Sequence, residues 1–291
     1  MPSFTAENCL ESSFPKIPGC EYFRLKMKEE KTILPDALSH LDRIEREMEG
    51  KTPAVFLDYD GTLTPIVNSP DAAVLSPSMR RTVEGLAKRF MVAVISGRDL
   101  GDVRKRVGIP GIFYAGSHGF DIAGAEGRRK TFRQGAEFLP ELDEAECRLR
   151  EMLEKTEGVF LERKKFSMAI HYRNVPKEKT GDVKSAVDEV VSRFSGLRKS
   201  SGLKVYDLQP DIDWNKGKAL LYVLEALSPD DPLILPIYIG DDTTDEDAFR
   251  TLRIRGIGIV VMDEARPTQA RYVLKDPEAV QTFLESLRAM P

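Results

Sequence analysis

Short, almost wholly apolar runs alternate along this chain with segments of helical periodicity. Residues 54–57, 90–95, 233–239 and 257–261 are such runs, and 112–114 is a weaker one. Continuous apolar runs of this length predict strands buried on both faces, as in a parallel sheet covered by helices. The segments between them fit that reading. Ser76-Pro77 has the form of an N-cap followed by proline at the first helical position, and predicts a helix to about residue 89. Residues 99–107, 217–227, 245–252 and 277–287 also read as helices. Near the start, Leu38, Leu41, Ile44 and Met48 recur at helical spacing, which predicts a short amphipathic helix stopped by Gly50. Residues 1–32 carry Pro2, Pro15 and Pro18 without periodicity and read as a loosely ordered extension.

The middle of the chain has a different pattern. Residues 134–155 and 177–194 read as helices, with a hairpin of 159–162 and 166–173 between them. In its second strand Phe166, Met168, Ile170 and Tyr172 alternate with Ser167, Ala169, His171 and Arg173. A period of two predicts one packed face and one open face. Residues 203–208 read as a further strand. A mostly antiparallel α+β segment therefore interrupts a parallel α/β segment. The expected organisation is an N-terminal extension with a short helix (1–50), a core (51–123 and 207–291) and an inserted domain (124–206). Gly124, Gly127 and Gly202 are candidate hinges at its ends.

Composition narrows the class. The 291 residues carry 43 Lys plus Arg against 47 Asp plus Glu, a net charge of -4, which argues against a nucleic-acid partner. No apolar run approaches the roughly 18 residues that span a bilayer, so no membrane partner is expected. Residues 1–30 lack the basic-then-apolar pattern of a secretory signal. Cys9, Cys20 and Cys147 are odd in number with no C-x-x-C spacing, which predicts neither a disulfide framework nor a zinc site, and a cytoplasmic location. Only His40, His118 and His171 are present. Any metal ligands must then be carboxylates.

Three apolar runs end in polar clusters: Asp58-Tyr59-Asp60-Gly61-Thr62, Ser96-Gly97-Arg98, and Asp241-Asp242-Thr243-Thr244-Asp245 after Gly240. In an open parallel sheet the ligand site lies beyond the carboxyl ends of the strands, so the three converge on one crevice. Asp58, Asp60, Asp241 and Asp245 gathered there repel one another unless a counter-charge is present. A hard divalent cation held by oxygen, such as Mg²⁺, supplies one, and Lys216 supplies a second. The Ser96 hydroxyl and the N–H groups around Gly97 are suited to phosphate oxygens near a helix N-terminus. A carboxylate nucleophile, a metal, a lysine and a hydroxyl are what phosphoryl transfer to an aspartate requires.

D-x-D-G-T at 58–62, Ser96, Lys216 and G-D-D-x-T-D at 240–245 resemble the four motifs of the haloacid dehalogenase (HAD) superfamily of phosphatases. More narrowly, residues 56–67, 95–98, 115–122 (A-G-S-H-G-F-D-I), 171–173 (H-Y-R), 213–220 and 238–249 are similar to trehalose-6-phosphate phosphatases, over about residues 52–285. The resemblance implies an α/β fold, with a HAD-like Rossmannoid parallel-sheet core and an inserted α+β cap domain. It implies Mg²⁺-dependent hydrolysis of trehalose 6-phosphate through an aspartyl-phosphate. Asp58 would be the nucleophile. Asp60 would be the acid that protonates the sugar oxygen and the base that activates water. Asp58, the Asp60 carbonyl and Asp241 would hold Mg²⁺, with Asp245 orienting a water of its shell. Lys216 and Ser96 would neutralise and bind the phosphoryl group, Gly97 and Arg98 would bind substrate beside them, and Thr62 would support the loop on the substrate side. From the cap, Glu162, Lys164 (or its neighbour Lys165), Arg173 and Asp207 would meet the sugar. Asp207 and Gln209 stand where relatives carry Glu and Arg or Lys, which gives Asp207 a shorter arm. The chain is expected to be a monomer; it shows no synthase domain, so any coupling to a synthase is expected to be a loose association with a separate chain.

Plainer readings stand beside these. D-x-D-G-T is also turn chemistry, and the acids at 245–247 also suit a helix start. His118 reads equally as a substrate contact and as a structural hydrogen-bonding group. His171 can be a sheet residue, Arg163-Lys164-Lys165 an exposed turn and Trp214 packing. The competing functions are a phosphatase for another sugar phosphate, a signalling receiver domain and a catalytically silent scaffold. A receiver gives no reason for Asp60 or for an insert of this size.

Overall fold

The computed structural model describes residues 34–67, 69–124, 132–133, 135–202, 204–227 and 232–291. The expected extension over 1–32 and the hinge glycine Gly127 lie outside these residues.

Five of the expected apolar runs form the middle of one large sheet. They are β1 (Thr52–Leu57), β2 (Met91–Ile95), β3 (Phe113–Gly116), β10 (Ile234–Gly240) and β11 (Ile257–Val261). Three short strands complete it: β4 (Asp121–Ala123), β5 (Phe132–Arg133) and β12 (Tyr272–Leu274). The order is β12-β11-β10-β1-β2-β3-β4-β5, parallel from β12 to β3, with β4 and β5 antiparallel at one edge.

Pleating divides each apolar run between two layers. Val55 and Leu57 of β1 pack with Ile237 and Ile239 against α2 (Pro77–Ala87), α3 (Leu100–Val107) and α8 (Pro277–Ala289). Ala54 and Phe56 pack with Tyr238 against α6 (Lys216–Leu227) and α7 (Glu246–Leu252). Both faces are covered, so no polar position was needed in these strands. Helix starts follow local chemistry. The Ser76 hydroxyl accepts from Met79 N at 3.1 Å and Pro77 opens α2, a cap that contributes about 1 kcal/mol.

Residues 34–50 belong to this packing. Pro35 and Ala37 exchange backbone hydrogen bonds with Val273, which extends the sheet beyond β12 and covers its edge. The helix α1 (Leu41–Met48) buries Ile44 and Met48, and Glu47 pairs with Arg271 at 2.6 Å. It starts later than the apolar spacing suggests because 34–37 are spent on the sheet edge.

The second sheet is antiparallel: β6 (Phe160–Arg163), β7 (Met168–His171), β9 (Val205–Pro210) and β8 (Leu197–Gly202), in that order. Met168, Ile170 and Leu208 pack one face against α4 (Leu139–Leu153) and α5 (Thr180–Arg193). Glu162, Ala169 and Asp207 share one register row on the other face. The passages between the sheets lie past residues 124 and 206: β5 keeps 132–133 in the large sheet, and β9 runs to Pro210 in the small one. No helix among the described residues is long and apolar enough to cross a membrane.

Candidate active site

β1 lies between β2 and β10, so the residues after these three strands meet at one sheet edge. Asp58 follows β1 and donates its N–H to Ile239 O at 2.9 Å. Ser96 follows β2, Asp241 follows β10, and Lys216 opens α6. Asp58, Ser96, Lys216 and Asp245 are all buried.

Lys216 Nζ donates to Asp58 Oδ1 at 3.0 Å and to Asp245 Oδ1 at 2.7 Å. Burial alone would lower its proton affinity, but the Asp245 and Asp58 charges raise it, so it stays an ammonium. The carboxylates outnumber it. Burial and the charges of Asp245 and Asp241 push Asp58 well above the usual range against the opposing pull of Lys216. Burial and Asp245 push Asp241 up to about 7. Among the described residues, Asp58, Asp241 and Asp245 each offer a carboxylate oxygen within 4.8 Å of the others. Hard oxygen donors in charge excess are the donor set of a hard divalent cation, so the residues fit Mg²⁺.

Their shares are unequal. Asp245 Oδ1 also accepts from Tyr238 OH at 2.6 Å, and its Oδ2 accepts from Asp242 N at 2.9 Å in a capping box. With both oxygens engaged, it is an anchor for Lys216 more than a free ligand. Asp58 and Asp241 are the better placed donors. Asp60 brings no carboxylate to this cluster, and a share for it in a metal site would fall to its backbone carbonyl. Gly61 has φ +76°, and a Cβ there would lie 2.0 Å from Asp241 Oδ2, so only glycine lets the loop pass this carboxylate. Thr62 is buried beside it, its hydroxyl 3.5 Å from Asp241 Oδ1.

The Ser96 hydroxyl accepts from Arg98 N at 3.1 Å, and the Ser96 carbonyl accepts from His118 N at 2.9 Å. Ser117 and His118 adopt positive φ (49° and 56°) without being glycine, a strained backbone of the kind that clusters at functional sites. The His118 ring lies over Gly97, where a Cβ would come within 2.6 Å of its Cε1. Burial, then Lys216 and Lys164, hold this imidazole at about 4, so it is neutral. Its Nδ1 is buried without a hydrogen-bond partner, an orphan that favours the substrate-contact reading.

The cap sheet contributes its open face. Glu162 pairs with His171 at 2.9 Å. Across the Ala169 position lies Asp207, whose proton affinity burial raises against the pull of Lys164 and His171. Lys165 is spent on docking: its backbone N donates to Asp99 Oδ1 at 3.0 Å, and its ammonium pairs with the buried Asp121. Phe166 stacks on Phe120 beside this joint, with ring centroids 5.9 Å apart. That leaves Lys164 as the cap lysine in electrostatic reach of both His118 and Asp207. Arg173 is exposed beyond the end of β7. Arg98 binds Asp60 through its guanidinium. Trp214 packs against the apolar layer of α6 and α7.

Sequence reasoning did not find Tyr238, Asp99, Asp102 or Asp121. Tyr238 carried a signal, as a hydroxyl inside an otherwise apolar central strand. The other three become informative only once their partners are in place.

The model of the trehalose-phosphatase family matches residues 56–278. A trehalose-phosphate phosphatase of Mycobacterium tuberculosis is 45% identical over 259 residues, covering 87% of this chain and 66% of the relative. This chain therefore spans just under two thirds of the length of that relative. A probable trehalose-phosphate phosphatase D of Arabidopsis thaliana is 42% identical, covering 87% of this chain and 72% of the relative. The solved structure of Aspergillus fumigatus trehalose-6-phosphate phosphatase (crystal form 3) is 27% identical with a TM-score of 0.65, covering 89% of this chain and 100% of that one.

Proposed function

This chain belongs to the trehalose-phosphatase family, and we propose that its crevice hydrolyses trehalose 6-phosphate to trehalose and phosphate through a phosphorylated Asp58. The observation that carries the reading is the buried Lys216 ammonium bridging Asp58 and Asp245 beside Asp241. This is a carboxylate next to fixed positive charge at the end of a parallel sheet.

Lys216 engages only Oδ1 of Asp58, so the other carboxylate oxygen is the attacking atom. It forms a bond to phosphorus as the bond from phosphorus to the sugar oxygen breaks, and Asp60 gives that oxygen its proton. Asp60, now ionised, takes a proton from water. The water oxygen bonds to phosphorus, the acyl-phosphate bond breaks, and phosphate leaves. The Ser96 hydroxyl and the Lys216 ammonium bind the phosphoryl oxygens throughout. The neutral His118 offers a hydrogen bond where the sugar meets the phosphate. Glu162, Lys164 and Asp207 bind sugar hydroxyls from the cap. Asp58, Asp241 and the Asp60 carbonyl would hold Mg²⁺, which would supply positive charge against the phosphoryl oxygens as one anion approaches another.

The test is phosphate release from trehalose 6-phosphate and from glucose 6-phosphate by wild type and Asp58→Asn, with and without chelator. Strong preference for the disaccharide, near-complete loss in the variant and recovery of chelated enzyme by Mg²⁺ are expected. Equal turnover of the two sugars would remove the substrate assignment. Full activity in Asp58→Asn would remove the mechanism.

A further inference from the structure

Arg98 stands beside the phosphoryl site, yet its guanidinium is committed elsewhere. Nε donates to Asp60 Oδ2 and Nη2 to Asp60 Oδ1, both at 2.7 Å, a two-point fork on one carboxylate. Nη1 donates to Asp102 Oδ2 at 2.9 Å, and Nη2 also donates to Pro70 O at 2.8 Å. A guanidinium has five N–H donors, so these four bonds leave little for a substrate.

The anchor is sunk and braced. The Arg98 side chain is 11% exposed against 43% for Asp60. Its guanidinium carbon sits 5.3 Å from the Tyr59 ring centroid. Asp102, its second carboxylate, is held through both oxygens by Arg106 Nε at 2.8 Å, and Arg106 reaches on to Asp71 at 2.9 Å. Tyr59 OH in turn donates to Ala73 O at 2.9 Å. The brace thus runs from α3 through the 70–73 loop to the segment after β1. Asp60 is the exposed member, and the Arg98 fork fixes both of its oxygens.

We propose that Arg98 is the positioning residue of Asp60 and not a ligand of the substrate, holding that carboxylate at the mouth of the crevice in the orientation its two proton transfers need. The inference rests on the acid–base role proposed for Asp60. A half-exposed carboxylate without such a partner spreads over several rotamers, and misplacement of an acid by about 1 Å is costly.

A double-mutant cycle on trehalose 6-phosphate separates the two roles. Arg98→Ala is expected to lower kcat about 10- to 100-fold, part of the roughly 10²–10⁴ that general acid–base catalysis supplies, with KM nearly unchanged. In an Asp60→Asn background the same change is expected to cost less than about twofold, because its target is already gone. Arg98→Lys keeps the charge but not the fork, and is expected to recover only a minor part of the loss. Multiplying effects in the double variant, a rise in KM at constant kcat, or full recovery by lysine would each overturn the proposal. Crystal structures supply a readout independent of turnover: Asp60 in a single orientation on Arg98 in the wild type, and in several in Arg98→Ala. An unchanged single orientation in the variant would overturn it too. If wild type hydrolyses no phosphosugar, the proposed function fails, and the crystallographic comparison still decides what Arg98 does to Asp60.

Discussion

At the residue scale the site is a problem of unbalanced charge. One ammonium, Lys216, faces Asp58, Asp245 and Asp241, and burial, with the neighbouring carboxylate charges, raises the proton affinities of Asp58 and Asp241. Removing that ammonium strands buried carboxylates. Lys216→Met is expected to lose turnover and about 3–5 kcal/mol of stability in urea titrations, the usual cost of breaking a buried pair from one side. A loss below about 1 kcal/mol would mean that the carboxylates relax into water instead. His118 gives a pH signature. A free imidazole titrates near 6.5, but here the group is held at about 4. The unfolded chain takes up a proton below 6.5 that the folded chain refuses until about 4. Stability is therefore intact above 6.5 and falls as the pH drops through that window, by at most about 3 kcal/mol. His118→Gln is expected to flatten that part of the curve of thermal midpoint against pH, and an unchanged slope would show that the ring is not the group refusing the proton. That Asp58, Ser96 and Asp241 meet at one sheet edge was legible in sequence because each stands where an apolar run stops: 54–57, 90–95 and 233–239. The fork between Arg98 and Asp60 was not. It joins loops 38 residues apart, and only the β1–β2 register brings them together.

At the element scale, pattern reading worked where one face or both were clearly apolar. It passed over β4, β5, β8 and β12. Three of these are two or three residues long, too short for a period to show, and β8 (Leu197–Gly202) is mostly polar. The sheet neighbours stabilise such strands, not their own sequence. The same limit hid the cap joint, because Lys165 in a basic turn reads as a solvated residue until Asp99 and Asp121 are seen opposite it. The open face of the cap sheet yields a selectivity prediction. Glu162 and Asp207 flank Ala169 in one row, and the Asp207 arm is short and partly buried. Polar groups built to bind hydroxyls discriminate strongly, since a missing partner leaves them unpaired. Asp207→Ala is expected to raise KM for trehalose 6-phosphate about tenfold or more, a loss of one charged hydrogen bond, while p-nitrophenyl phosphate, which has no sugar, is turned over as before. Equal losses on both substrates would place Asp207 in the framework of the cap and not at the sugar.

For the whole molecule, the arrangement of the apolar layers sets how it should come apart. The large sheet has two layers that share its strands, whereas the small sheet has its own, built from α4, α5 and three of its strands. Cooperative unfolding follows shared burial, so the two sheets are expected to melt as separate units, joined by the Lys165 contacts and the Phe166–Phe120 stack beside them. The single tryptophan makes this measurable. Trp214 packs on the α6–α7 layer and reports the large sheet alone. Far-UV circular dichroism reports both sheets. In urea, the dichroism curve is expected to show a component that the fluorescence curve lacks, and Lys165→Ala is expected to widen the gap by loosening the joint. Coincident curves in both proteins would mean that docking couples the sheets into one cooperative unit. In that case the insert would be a fixed wall of the crevice, and sugar entry would have to depend on motion in the loops around Gly61 and His118 rather than on the small sheet as a body.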